Sequence, residues 1–138
     1  MELAARYPHI VRSMVLVDSA GLKPRRGLKY YAKVGMHKLL RRLGLKGLKG
    51  SSDFRVLSPI MRATFKNVVN YDQTPLAKKI SCPTAIFWGR DDRETPPYMA
   101  RRLNKYISDS SLFWLNGGHF SYIEDSAKFI AILRAFVG

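Results

Sequence analysis

"CPTAIFWGRDDRETPP", residues 82–97, is the stretch that decides the fold. Its apolar run, Ala85-Ile86-Phe87-Trp88, ends abruptly at Gly89, and two aspartates follow before Thr95-Pro96-Pro97. A short continuous apolar run closed by turn residues reads as a strand buried on both faces. Asp91 and Asp92 then lie on the turn. Asp favours turns because its carboxylate accepts local backbone N–H groups, so turn chemistry alone accounts for either residue. A functional role needs a partner elsewhere in the chain.

Working outward, "SMVLVDSAG", residues 13–21, and "SSLFWL", residues 110–115, read as two more buried strands. Residues 2–7 read as the last turns of a helix stopped by Pro8. Residues 97–107 fit a helix, mostly exposed, with Tyr98, Arg101, Arg102 and Lys105 along it. Residues 121–137 fit a single helix carrying Ile123, Ala127, Ile130, Leu133 and Val137 on one side. Strands alternating with helices imply parallel pairing through crossovers. The expected class is α/β, with a partial parallel sheet of about three strands flanked by helices.

The three strands end in Asp18, the Asp91/Asp92 pair and, after Gly117-Gly118, His119. In open parallel sheets functional groups gather at the carboxyl ends of strands. An acid and a histidine on adjacent ends can meet there. A carboxylate that accepts the imidazole Nδ1–H fixes the tautomer and stabilises the imidazolium formed when the ring takes a proton. One acid of the Asp91/Asp92 pair and His119 are the candidate partners. Each alone has a bland explanation, as a turn residue and a structural histidine. Both together, in this order and at strand ends, are a narrower coincidence.

Between Leu22 and Asn70 the composition changes. No acid occurs from Ser19 to Ser52, while ten Lys and Arg residues fall between Lys23 and Lys49. Leu28, Tyr31, Gly35, Leu39 and Leu43 recur at helical spacing, with Lys29, Lys33, His37 and Arg41 on another face. Gly44, Gly47 and Gly50 break this basic amphipathic helix. A second helix is expected over 53–70, interrupted near Pro59.

The whole chain has 138 residues, enough for one domain with a real core. A hydrophobic content of 46% excludes a largely disordered chain. The net charge of +14 raises the prospect of an anionic partner. Cys82 is the single cysteine, so no internal disulfide forms. No secretory leader or apolar run of about 20 residues is visible, which makes a cytoplasmic location the expectation. No cofactor or metal site is implied.

With these motifs in hand, the sequence resembles the C-terminal half of an α/β-hydrolase. Gly89-x-x-Asp92-x-x-x-Pro96 and Gly118-His119 match the acid-bearing and His-bearing motifs of that family. "LAARYPHIVRSMVLVDSAGL" is similar to the segment that follows the nucleophile. "LAKKISCPTAIFWG" resembles the approach to the acid-bearing strand, and "GGHFSYIEDSAKFIAILRAFV" the closing helix, with Ser126 where Pro is frequent. The resemblance covers nearly the whole chain. It implies that Asp92 and His119 are the acid and base of a Ser-His-Asp triad acting on an ester, lactone or related acyl substrate. It also implies that residues 1–21 and 71–138 form a partial core, and that 22–70 form a helical lid. Leu28, Tyr31, Leu39, Leu57, Ile60, Met61 and Phe65 would line the acyl pocket, or equally form the lid's own core.

The family's nucleophile sits on a Gly-x-Ser-x-Gly elbow. No such motif occurs in these residues, and Ser13, Ser19, Ser51, Ser52 and Ser121 lie in the wrong contexts. The resemblance places the elbow just before Met1, so the expectation is a truncated hydrolase piece, inactive alone. The first strand, without its usual neighbour, becomes an apolar edge. Two other readings stand beside this one. A basic module could use residues 25–42 on an anionic membrane, or less readily on nucleic acid. The chain could also be a shortened reading frame without a function of its own. Cys82, Trp88 and Trp114 read as core residues, and His37 as a solvated one.

Overall fold

The computed structural model describes residues 1–23, 32, 35–36, 39–40, 42–43, 58–61, 64, 67 and 71–138. The chain divides into two compact units, Met1–Lys23 with Tyr71–Gly138, and Pro24–Asn70.

The first unit runs α1 (Glu2–Arg6), β1 (Met14–Val17), α2 (Thr74–Ala77), β2 (Thr84–Gly89), α3 (Tyr98–Tyr106), β3 (Ser110–Leu115), α4 (Ser121–Glu124) and α5 (Ser126–Val137). The strands form one parallel sheet in the order β1-β2-β3. Met14 pairs with Thr84 and Val17 with Phe87, while Thr84 pairs with Ser110 and Gly89 with Leu115. The central strand β2 is buried at all six positions. That explains its unbroken apolar sequence, because a strand covered on both faces has no polar side. β1 pairs only with β2 among the described residues.

Alternation along β2 splits the core into two layers. Ile86 and Trp88 pack with Leu16, Leu22, Ile80, Met99, Leu103 and Ile107 on one face. Ala85 and Phe87 pack with Leu115, Phe129, Ile132 and Leu133 on the other. Phe87 lies 5.4 Å from Phe113 and 4.8 Å, edge to face, from Phe129 by ring centroid. Burying each such large side chain contributes roughly 1.5–3 kcal/mol.

Two helical expectations need correction. α3 is not mostly exposed: Met99, Ala100 and Leu103 are buried against the sheet, and the arginines form only its outer stripe. The closing helix is two helices, broken at Asp125 (φ −123°, ψ 47°). The Asp125 carboxylate accepts the Asn116 N–H at 2.9 Å. Its short side chain serves the loop after β3 rather than a continuous helix, in keeping with the weak helix preference of Asp.

In the second unit the described residues Ala32, Gly35, Met36, Leu39, Leu40 and Arg42 are helical, as are Pro59–Met61, Thr64 and Asn67. The Ser58 hydroxyl accepts the Met61 N–H at 3.3 Å. Ser58 thus caps a helical stretch that Pro59 opens, a position where the missing proline N–H is harmless. Lys29, Lys33, His37, Arg41, Gly44, Gly47 and Gly50 lie outside the described residues. No helix among the described residues is long and apolar enough to cross a membrane.

Candidate acid–base site

β2 and β3 deliver two loops side by side at their carboxyl ends. The Arg90 N–H donates to the Leu115 carbonyl at 3.0 Å, and the Asp91 N–H to the Gly117 carbonyl at 3.0 Å. Contact is close enough that a Cβ on Gly89 would fall 2.1 Å from the Gly118 oxygen. Only glycine lets the two backbones approach this far. The second loop is held from α4 and the residue that follows it: the Glu124 carboxylate accepts the Gly118 N–H at 3.2 Å, and Asp125 accepts that of Asn116.

On the first loop Asp92 is 2% exposed, and both of its oxygens are engaged. Oδ1 accepts the Glu94 and Thr95 N–H groups at 2.8 and 3.0 Å. Oδ2 lies 2.6 Å from the Thr95 hydroxyl and 2.9 Å from His119 Nδ1. Burial pushes the Asp92 carboxyl up. The hydrogen bonds from His119, Thr95 and Glu94 outweigh that and hold it below its ordinary value. Asp91, its neighbour, is exposed.

The His119 imidazole is 29% exposed and stands edge-on to Phe120 at 5.6 Å. With Nδ1–H donated to Asp92, Nε2 carries the free lone pair. Nε2 lies 3.8 Å from the exposed Glu94 carboxylate, beyond hydrogen-bond range. The Asp92 hydrogen bond raises the imidazole above its ordinary value, burial opposes it, and the charges of Asp92, Glu94 and Asp18 add to the rise. The arrangement can accept a proton at Nε2 and stabilise the resulting cation.

Among the other candidates, Leu39, Ile60 and Met61 are exposed. Leu28, Tyr31, Leu57 and Phe65 lie outside the described residues. The described residues contain no group of three or more His, Cys, Asp or Glu side chains able to hold a metal ion.

The sequence reading marked Asp18 as a strand-end acid and set Ser121 aside, but the part that these two and Thr95 play in this site escaped it. Thr95 supports the acid, Asp18 accepts from both Gly89 and Ser121, and Ser121 is fully buried. The Asp92-x-x-Thr95 spacing is a local signal, since a carboxylate commonly bonds a hydroxyl and N–H three residues on. Asp18 and Ser121 are too far apart in sequence for any local pattern to pair them.

No family model matches the chain. The proline iminopeptidase of Lactobacillus helveticus is 33% identical over 72 residues, which are 51% of this chain and 24% of that protein. An α/β hydrolase from the metagenome of lagoon sediments at Mar Chica, Morocco, is 25% identical. It superposes with a TM-score of 0.61 over 96% of this chain and 52% of its own. The enol-lactonase of Burkholderia xenovorans, 21% identical, has a TM-score of 0.62 over 98% of this chain and 59% of its own. The chain therefore spans about half the length of the solved structures it matches.

Proposed function

We propose that this chain, which carries the α/β-hydrolase fold, supplies the acid and base of a Ser-His-Asp acyl hydrolase. One observation carries the reading: His119 Nδ1 lies 2.9 Å from the buried Asp92 carboxylate at the tips of neighbouring parallel strands. In this reading Asp92 holds the Nε2 lone pair toward a nucleophile. His119 takes the nucleophile's proton as it attacks the acyl carbon, and then returns it to the leaving group. Removing such an acid lowers turnover by about 10⁴.

No Gly-x-Ser-x-Gly elbow is present in these residues, so the nucleophile and the oxyanion donors come from a segment outside them. Losing a triad nucleophile lowers kcat by about 10⁶, which leaves the isolated chain without useful turnover. Residues 22–70 serve as a lid in this reading, and Leu28, Tyr31, Leu39, Leu57, Ile60, Met61 and Phe65 supply the apolar side chains that meet the acyl group. The exposure of Leu39, Ile60 and Met61 is compatible with that role. The substrate class is a small ester or lactone, in line with the lactonase among the structural neighbours. Loading of the basic lid on an anionic membrane remains the alternative reading, and the +14 charge is its only support.

The test is ester hydrolysis by the chain alone and by the chain fused behind a Gly-x-Ser-x-Gly-bearing half. The isolated chain is expected to match free imidazole. The folded fusion is expected to turn over ester and to lose it on His119→Ala or Asp92→Ala. A folded, active fusion indifferent to His119→Ala removes the assignment.

A further inference from the structure

Asp18 is a buried acid that the chemistry above does not use. It ends β1, is 5% exposed, and has a left-handed backbone (φ 40°). Its N–H still donates to the Phe87 carbonyl at 3.0 Å, as a parallel ladder requires. The next rung would run from the Gly89 N–H to the Asp18 carbonyl. Instead the left-handed turn sends that carbonyl to the Thr95 hydroxyl at 3.1 Å, and side-chain Oδ1 accepts the Gly89 N–H at 2.7 Å. Oδ2 accepts the Ser121 hydroxyl at 2.7 Å. One residue thus touches the β2 tip three positions before Asp92, the hydroxyl that supports Asp92, and the first turn of α4 two positions after His119.

We propose that Asp18 is a positioning residue for the Asp92–His119 pair, setting the register of the two loops that carry them. The inference rests on reading Asp92 and His119 as acid and base.

The chemistry of the contacts supports it. Both Asp18 oxygens accept, as an ionised carboxylate requires. The Ser121 hydroxyl has one proton and gives it to Asp18. The Thr95 hydroxyl also has one, and Asp92 at 2.6 Å is nearer than the Asp18 carbonyl at 3.1 Å. The Thr95 proton therefore goes to Asp92, and the Asp18 carbonyl only borders that hydroxyl; the ties Asp18 makes by hydrogen bond are those to Gly89 and Ser121. Burial pushes the Asp18 carboxyl up, and the bonds from Ser121 and Gly89 pull against it. Asp92 lies at His119 Nδ1 and Glu94 on the Nε2 side, and the charge of Asp18 also acts on the ring. Glu124 and Asp125 are committed to the N–H groups of Gly118 and Asn116.

Asp18→Asn is the decisive variant. Asn tolerates a left-handed backbone and keeps an oxygen for the Gly89 N–H, while Ser121 can turn to accept from its amide. The readout is the His119 ring titrated by NMR in the full chain, together with its downfield Nδ1 proton; His9 and His37 serve as internal references. The expected result is a downward shift of the His119 midpoint alone. In Ser121→Ala, which removes only the tie to α4, the Nδ1 proton is expected to exchange faster. A parent-like fold in Asp18→Asn with an unmoved midpoint overturns the proposal. If Asp18→Asn fails to fold, unchanged Nδ1 exchange in Ser121→Ala overturns it instead. Asp92→Asn separates the two readings: if it leaves the His119 midpoint in place, the acid–base pair itself is wrong, whereas a shift there without one in Asp18→Asn removes Asp18 alone.

Discussion

His119 Nδ1 lies 2.9 Å from Asp92 Oδ2, and this hydrogen bond couples the protonation of the two groups to folding. His119 is raised above its ordinary 6.5 in the folded chain. Its contribution to stability is therefore complete below 6.5 and is lost as pH rises through the folded value. Asp92 is lowered below 3.8, so its contribution is present above 3.8 and is lost as pH falls through the folded value. Stability should peak between these limits. Urea unfolding across pH is expected to show both arms, with the alkaline arm flattened in Asp92→Asn.

Asp18 acts in the opposite sense. Its folded value is raised above 3.8, so it favours folding at acid pH and withdraws that support as pH climbs through its folded value. Asp18→Asn should remove the decline in stability that sets in as pH rises above 3.8, and leave the Asp92 loss below 3.8 in place. The same urea series reads this directly; an unchanged profile above 3.8 counts against it.

Glu94 offers a contrast in screening. Its carboxylate is 72% exposed and 3.8 Å from His119 Nε2. Glu94→Gln should lower the His119 midpoint less than Asp92→Asn does. The Glu94 effect should fade near ~0.5 M salt, where exposed charges are strongly screened. NMR titration at two ionic strengths checks both statements, since the buried Asp92 effect should persist.

Gly89→Ala places a Cβ 2.1 Å from the Gly118 oxygen and 2.7 Å from that of Gly117. Both are backbone atoms, so the loops must separate. A loss of about 1–3 kcal/mol is expected from overpacking of this kind. The denaturation midpoint measures it, and the His119 Nδ1 proton should weaken in the same variant.

Trp88→Phe removes the indole N–H that donates to the buried Thr95 carbonyl at 2.7 Å. An orphaned buried acceptor costs roughly 1–3 kcal/mol, to which the lost volume adds. Equilibrium unfolding should show at least that loss. Because Thr95 supports Asp92, a shift of the His119 midpoint should accompany it.

The sequence by itself determined the strands, their parallel pairing and the fold class, because burial on both faces demands apolar runs such as Ala85–Trp88 and closing residues such as Gly89. It also singled out the Asp91/Asp92 pair and His119, since polar groups at strand ends are few and their order was informative. It misjudged α3 and the break at Asp125, where packing against the sheet and a side-chain bond to Asn116 override helical periodicity. Tertiary structure alone decided that Asp92 rather than Asp91 meets the imidazole, and that Asp18 reaches Ser121 and Gly89. The physical reason is distance along the chain. Periodicity and turn chemistry act over a few residues, whereas the Asp18–Ser121 bond joins groups 103 positions apart, brought together only when three strands settle into one sheet.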